Sequence, residues 1–473
     1  MSQTPPVNAS WQASGDLSAS SGFPSDTQIA VSSTHILVTA RAIIAFYDKG
    51  GIQLQPPLST SSFFGGLKLG EKYGIDHFYD TRTIFDSFRK RFWIAALTYN
   101  SPHKQDTQRR DIVVLAVSKT ENPLDGWYQY YYDAVAHYGE QNDPVFQPGD
   151  GADYPILGID KTCIYQTNAV SNNQTSMNRY WRVIFFSAEK MSSGVSFSNV
   201  ESWQFWDLLN PDSSQAWRIQ PVVHHDSSPH TYFVSQFGTN QLLIWGLTNP
   251  LQANQQMQRA EVTVSPFTFP PDAPQKNSAA KIRMTNFGNS PLKAVYRKNK
   301  LYTVMNDARD WFGDSNPTNS IRLMRINVSE FPKISTNKSS GFINRIFGAN
   351  NPIEDDRKTR MYYGWPAIEV NKDGNMAIVY TRTGTTIFPE MRYSSYYNAE
   401  NDIRPSRIVK AGEKDYFQSL STNTTLFYWG DIAGASVDPS DDKAIWIAHQ
   451  YASSSATSAS AGNFQVWVGR VFA

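Results

Sequence analysis

A two-stranded hairpin signal recurs along this chain, and a long-period recurrence of that kind leaves few folds open. The last copy is YWGDIAGASVDPSDDKAIWIAHQY, residues 428–451: an apolar stretch, an Asp/Pro/Ser turn and an aromatic-rich strand. Earlier copies are DTQIAVSSTHILVTARAIIAFYD from Asp26, YDTRTIFDSFRKRFWIAALTYN from Tyr79, DYPILGIDKTCIYQTNAV from Asp153 and IQPVVHHDSSPHTYFVSQF from Ile219. Two more are NSPLKAVYRKNKLYTVMNDA from Asn289 and GWPAIEVNKDGNMAIVYTR from Gly364. Their turns usually fall at Asp or Asn (Asp86, Asp160, Asp226, Asn371, Asp438), residues that tolerate left-handed geometry and bond to their own backbone. Pro155, Pro221, Pro291 and Pro366 stand where a strand begins and a missing N–H costs little.

The equivalent anchors Thr27, Thr81, Pro155, Pro221, Pro291, Pro366 and Ala433 span 406 residues in six intervals, about 68 residues each. That period is too long for a solenoid coil and suits a four-stranded propeller blade with decorated loops. Only 41 residues run from Ala433 to Ala473, about 27 short of a full repeat, and the N-terminal segment is the piece that fills the gap. The expectation is therefore all-β: one domain over 1–473, a seven-bladed β-propeller of four-stranded antiparallel blades. The blades start near 26, 79, 153, 219, 289, 364 and 429, and residues 1–25 complete the last one and close the ring. RYWRVIFFSAEK (179–190), SIRLMRINV (320–328) and FQVWVGRVF (464–472) read as half-buried outer strands. ESWQFWDLLN (201–210) allows at most one short helix, and 102–111 and 333–360 read as surface excursions.

Composition narrows the function classes. Lys+Arg number 43 against 42 Asp+Glu, which gives no electrostatic case for nucleic acid or an anionic membrane. The single Cys163 rules out an internal disulfide framework and a cysteine zinc site, and its CIYQTN context makes it a small core residue. No apolar run reaches the roughly 18 residues a membrane helix needs, so no membrane insertion is expected. The first 24 residues show neither a charged n-region nor an apolar h-region, so no signal peptide is visible.

The stretch at 428–451 resembles the WGD-Y-x-x-x-x-VDP-x-D-x-x-x-x-W stretch of a group of large secreted, mostly bacterial, propeller-like proteins. YDTRTIFDSFRKRFWIA, LAVSKTENPLDGWYQYYYD, DYPILGID and GWPAIEVNKDGNMAIVYTR, with FPEMRY after it, recur there in the same order, so the resemblance covers residues 26–473. Ile432 stands where that group usually has an aromatic. The resemblance implies a propeller and an extracellular location; it brings no reaction and no catalytic residue.

No G-x-S-x-G elbow, H-E-x-x-H, P-loop, G-x-G-x-x-G or S-x-D-x-G-x-x-W box is present. His224, His225 and His230 cluster, but 224 and 225 point to opposite faces of a strand, so at most one joins a site. The Asp438/Asp441/Asp442 group reads as a solvated turn. More telling are Asp26, Asp80, Asp153 and Asp431, at nearly matching places before the first strands of four repeats. If those strands are innermost, these carboxylates ring one mouth of the axial channel, with Arg82, Tyr154, Gln220, Trp365 and Trp429 beside them. Three readings fit: strand capping, a Ca²⁺ held by Asp153 and Asp431, or an acid/base pair for glycoside chemistry. Carboxylates so placed repel one another unless protonated, paired with Arg82 or neutralised by a metal, and pairing of Arg82 with an Asp of a neighbouring blade is expected ahead of a Ca²⁺-like ion. The aromatic excess favours a non-enzymatic extracellular recognition or structural protein that binds glycan or protein through aromatic-rich loops. The alternative is a carbohydrate-active hydrolase or lyase that uses the mouth carboxylates. The ligand's identity and the oligomeric state are not written in the sequence.

Overall fold

The computed structural model describes residues 2–13, 25–100, 110–135, 147, 149–311, 316–349, 354, 356–418, 425–455 and 462–472. Most of the expected excursion at 102–111, part of that at 333–360 and residues 14–24 of the N-terminal segment lie outside them.

The chain is all-β, built mainly of sheets of four antiparallel strands. A representative sheet runs Ile75–Asp86, Arg91–Asn100, Asp111–Ser118 and Trp127–Asp133, each strand paired with the next. Every hairpin read from the sequence forms the first two strands of such a sheet; the first strands begin at Gln28, Ile75, Asp150, Gln220, Pro291, Tyr362 and Gly434. First strands of successive sheets run parallel and touch: Ile159 pairs with Val223, and Val223 with Val295. Their lead-ins therefore share one end of the molecule. The last sheet takes its fourth strand from the other terminus, as Ala9–Gln12 pairs antiparallel with Phe464–Phe472.

Alternation along the strands explains the packing. In Asp111–Ser118, Ile112, Val114 and Ala116 face one way and pack with Leu37, Ile44 and Phe46 of the preceding sheet. Val113, Leu115 and Val117 face the other way, into a cluster with Leu157, Ile159 and Ile164 of the following sheet. Both faces of a sheet are thus buried, which corrects the expectation of half-buried outer strands. Thr318–Asn327 is buried along almost its whole length, and its Arg322 survives there through an ion pair to Asp307 Oδ2 at 2.5 Å. The first and last sheets pack in the same manner, with Ile29, Val31, Ile36 and Val38 against Trp446, Val466 and Val468.

Other expectations are corrected in detail. FINRIF is no excursion: Ile343–Phe347 is the fourth strand of its sheet. ESWQFWDLLN supplies a strand, Ser202–Phe205, which pairs antiparallel with Val183 to Phe186. Asp438 is no solvated turn residue; it is buried and accepts Trp446 Nε1–H at 2.8 Å, with Lys49 Nζ 2.7 Å away. An additional three-stranded sheet, Ala273–Gln275, Ser278–Arg283 and Leu426–Tyr428, lies outside the four-stranded pattern.

Candidate functional site

The lead-ins to the first strands share a backbone device. The ladder skips two residues between Tyr79 and Arg82, between Asp153 and Ile156, and between Gly364 and Ala367. The first residue of each bulge is left-handed: Asp80 at φ 54, Tyr154 at φ 56 and Trp365 at φ 56. Asp26, just before its strand, matches them at φ 43. Asp visits this region through its short polar side chain, whereas Tyr and Trp are held there at a cost of about 1–3 kcal/mol each. The position equivalent to Asp26 and Asp80 is thus Tyr154, one residue before the anchor Pro155, and Asp153 stands one residue further out. The Trp-Gly-Asp lead-in works differently. A Cβ at Gly430 would lie 3.0 Å from the Gln450 amide, a tight contact that the Gln450 side chain would have to relieve.

The lead-ins bring the acids within electrostatic reach of one another. Arg82 is 1% exposed and sits among them: its Nη2 is 3.5 Å from Asp80 Oδ2 and its Nη1 3.9 Å from Asp26 Oδ2, across a sheet boundary. Its Nε donates to Pro155 O at 2.8 Å, and its guanidinium lies 5.3 Å from the Tyr154 ring centre. Asp26 Oδ1 accepts the backbone N–H of Asp431 at 2.9 Å. Asp153 Oδ1 accepts the N–H of Tyr154 at 2.9 Å. Burial pushes the Asp80 carboxyl up to about 7; Arg82 opposes that rise, and the charges of Asp26 and Asp153 reinforce it. Burial also raises Asp431 well above the usual range, with Asp26 adding to it. Although part of Asp153 meets solvent, protein crowds its carboxyl, and this burial raises it too. Asp80 and Asp431 are half-buried, so the cluster grades from closed at Arg82 and Asp26 to open at Asp153.

Sequence reasoning missed two arginines and a flap. Arg41, in the turn between His35–Ala40 and Ile43–Asp48, is left-handed at φ 51, and its charge acts on Asp26 and Asp80. Arg218 acts on Tyr154 and Asp431 and donates to Asn286 O at 2.8 Å. The segment after the additional sheet brings Asn286 and Phe287 to the mouth: Asn286 Nδ2 donates to Asp431 Oδ1, and Phe287 stacks on Tyr154 at 4.2 Å. A cation without an obvious pattern around it, such as Arg41 or Arg218, gives no signal in a single sequence.

Other expected site residues lie elsewhere. Trp365 is 0% and Trp429 1% exposed; both belong to a core with Tyr416 and Phe427, so neither offers a face to a ligand. Tyr154 and Gln220 are buried, and both line the axial cavity together with Arg82. That cavity is about 40 Å³, room for a few water-sized groups, so any larger molecule must stay at the mouth. Among the described residues no group of three or more His, Cys, Asp or Glu side chains is placed to hold a metal ion. His224 is a core residue stacked 4.6 Å from Tyr296, with burial pushing it down to about 4, while His225 pairs with Glu369 at 2.8 Å. Cys163 is buried, and burial raises its thiol.

No family model matches this chain, and no curated protein matches it either. Solved structures similar to it include a glycosyl hydrolase from Bacteroides ovatus, at 8% identity over 71% of this chain and 86% of that one, with a TM-score of 0.34. Trypanosoma rangeli sialidase is similar at 8% identity over 98% of this chain and 60% of that one, TM-score 0.37. The α-L-arabinanase of Cellvibrio cellulosa follows at 10% identity, 80% and 94% coverage, TM-score 0.32. The expectation of a non-enzymatic recognition or structural protein is corrected here. The tryptophans expected beside the mouth as ligand-binding residues, Trp365 and Trp429, are core residues and offer no face to a ligand.

Proposed function

We propose that the chain is a carbohydrate-active hydrolase or lyase whose active site is the carboxylate mouth of a seven-bladed propeller. The cyclic order of sheet packings supports seven blades, each sheet sharing a core with the next and the last with the first. Pairing of Ala9–Gln12 with the last strand supports closure by the N-terminal segment and a single domain over 1–473. An extracellular location, as in the group the 428–451 stretch resembles, goes with a glycan substrate; among the described residues no helix is long and apolar enough to cross a membrane.

One observation carries the reading: Asp80 holds its proton to about pH 7 at a solvent-reached mouth with further carboxyls around it. A carboxylic acid protonated near neutrality is a general acid, able to give its proton to the leaving glycosidic oxygen. Asp153, in the adjacent blade and open to solvent, is the partner carboxyl that takes a proton or attacks carbon. Arg82 positions Asp80 and sets its proton affinity. Reducing-end release from a panel of neutral, amino and acidic polysaccharides tests this. Cleavage of at least one, falling on the order of 10²–10⁴-fold in Asp80→Asn and in Asp153→Asn, is expected. Cleavage of none, or full activity in both variants, contradicts it.

A further inference from the structure

The Arg82 fork is not used up by its neighbours. Both Nη atoms are buried and make no hydrogen bond, since the nearest carboxylate oxygens stand 3.5 and 3.9 Å away, beyond donor–acceptor reach. Arg82 also lines the axial cavity, a space of about 40 Å³. Arg41 and Arg218 come from two other blades, one beside Asp26 and Asp80, the other beside Asp431. Three guanidiniums therefore meet four carboxyls, and burial raises Asp80, Asp153 and Asp431 among them.

We infer that the mouth takes an anionic glycan, seating a sugar carboxylate on the Arg82 fork with Arg41 and Arg218 flanking it. The inference rests on the proposed glycan-cleaving activity and names its substrate class. A planar carboxylate matches two parallel N–H donors of a guanidinium and supplies the hydrogen bonds that both Arg82 Nη atoms lack. A neutral hydroxyl gives one acceptor and leaves a buried cation unpaired, which is costly once water is displaced. The size of the cavity agrees: it admits a carboxylate group and keeps the sugar ring at the mouth.

Thermal melting of the full chain with D-glucuronate or D-glucose, at equal ionic strength and pH 5.5, tests the assignment. Glucuronate at tens of millimolar is expected to raise Tm by about 2 °C or more while glucose does not. The glucuronate shift is expected to vanish in Arg82→Gln. Because Arg82 is buried, Arg218→Gln, a half-buried position, provides a second variant and is expected to weaken the shift markedly. Equal shifts with both sugars, or a glucuronate shift unchanged in both variants, overturn the assignment. Cleavage of a neutral polysaccharide without glucuronate binding overturns it and leaves the enzyme reading standing. Glucuronate binding without cleavage of any polysaccharide does the reverse.

Discussion

Asn286 Nδ2 donates to Asp431 Oδ1 at 3.0 Å, joining two residues 145 apart in sequence. The bond ties the flap carrying Asn286 to the carboxyl cluster, and it holds down an Asp431 proton affinity that burial raises. Asn286→Ala is expected to cost about 0.5–1.5 kcal/mol of stability and to raise the Asp431 carboxyl further. Carboxyl-carbon NMR titration of the variant checks the direction; a downward move would contradict the assigned partner.

Asp80 ties stability to pH with the opposite sign from most carboxylates. Its folded value, about 7, lies above its ordinary 3.8, so its contribution is full below pH 4 and is lost as pH rises through 7. The three-unit gap corresponds to about 4 kcal/mol at the alkaline end. Asp80→Asn removes the ionisation and is expected to melt higher than the parent at pH 8, with the gain shrinking toward zero by pH 4. Melting curves across that range measure it, and a gain that grows toward acid would be the wrong sign.

Glu369 behaves in the reverse way. Burial alone would raise its carboxyl, but His225 and then Lys293 outweigh it and hold it down to about 2. A depressed acid stabilises above its unfolded value of 4.5 and loses that contribution as pH falls through 2. Glu369→Gln is expected to cost about 3 kcal/mol at pH 7 and almost nothing near pH 2. Denaturant unfolding at both pH values decides it.

Ring closure by the N-terminal strand predicts a global effect from a local cut. Trp11 packs edge-on against Trp446 at 5.3 Å, and Gly51, at φ +86, is where a Cβ would come within 2.6 Å of the Trp11 ring. Removal of residues 1–13 is expected to lower the melting temperature of the whole protein in one transition, and Gly51→Ala to mimic part of the loss. A truncated protein that melts with the parent would contradict closure.

The repeat was legible because strand alternation and Asp or Asn turns are local signals, and each predicted hairpin from Asp26 to Tyr451 is present. The carboxylates of the mouth were legible for the same reason, as they sit beside the strand starts. The bulges were not. The anchors align Tyr154 and Trp365 with Asp26 and Asp80, but only tertiary packing keeps an aromatic left-handed, so residue type gave no sign of the backbone geometry they share. The additional sheet was invisible because its parallel pairing of Lys281–Arg283 with Leu426–Tyr428 joins distant, three-residue pieces with no period of their own. Trp365 and Trp429 looked like ligand platforms because abundance of aromatics says nothing about which ones a core will claim.

The central claim is that Asp80 works as a proton donor tuned by its setting, and the pH dependence of kcat/KM on a cleaved glycan tests it most directly. The account predicts an activity that falls above about pH 7 as Asp80 loses its proton. In Arg82→Gln that fall should move to higher pH, since the opposing positive charge is gone, and in Asp80→Asn it should disappear with most of the rate. A profile without a fall near neutrality, or one that Asp80→Asn leaves unchanged, would contradict it.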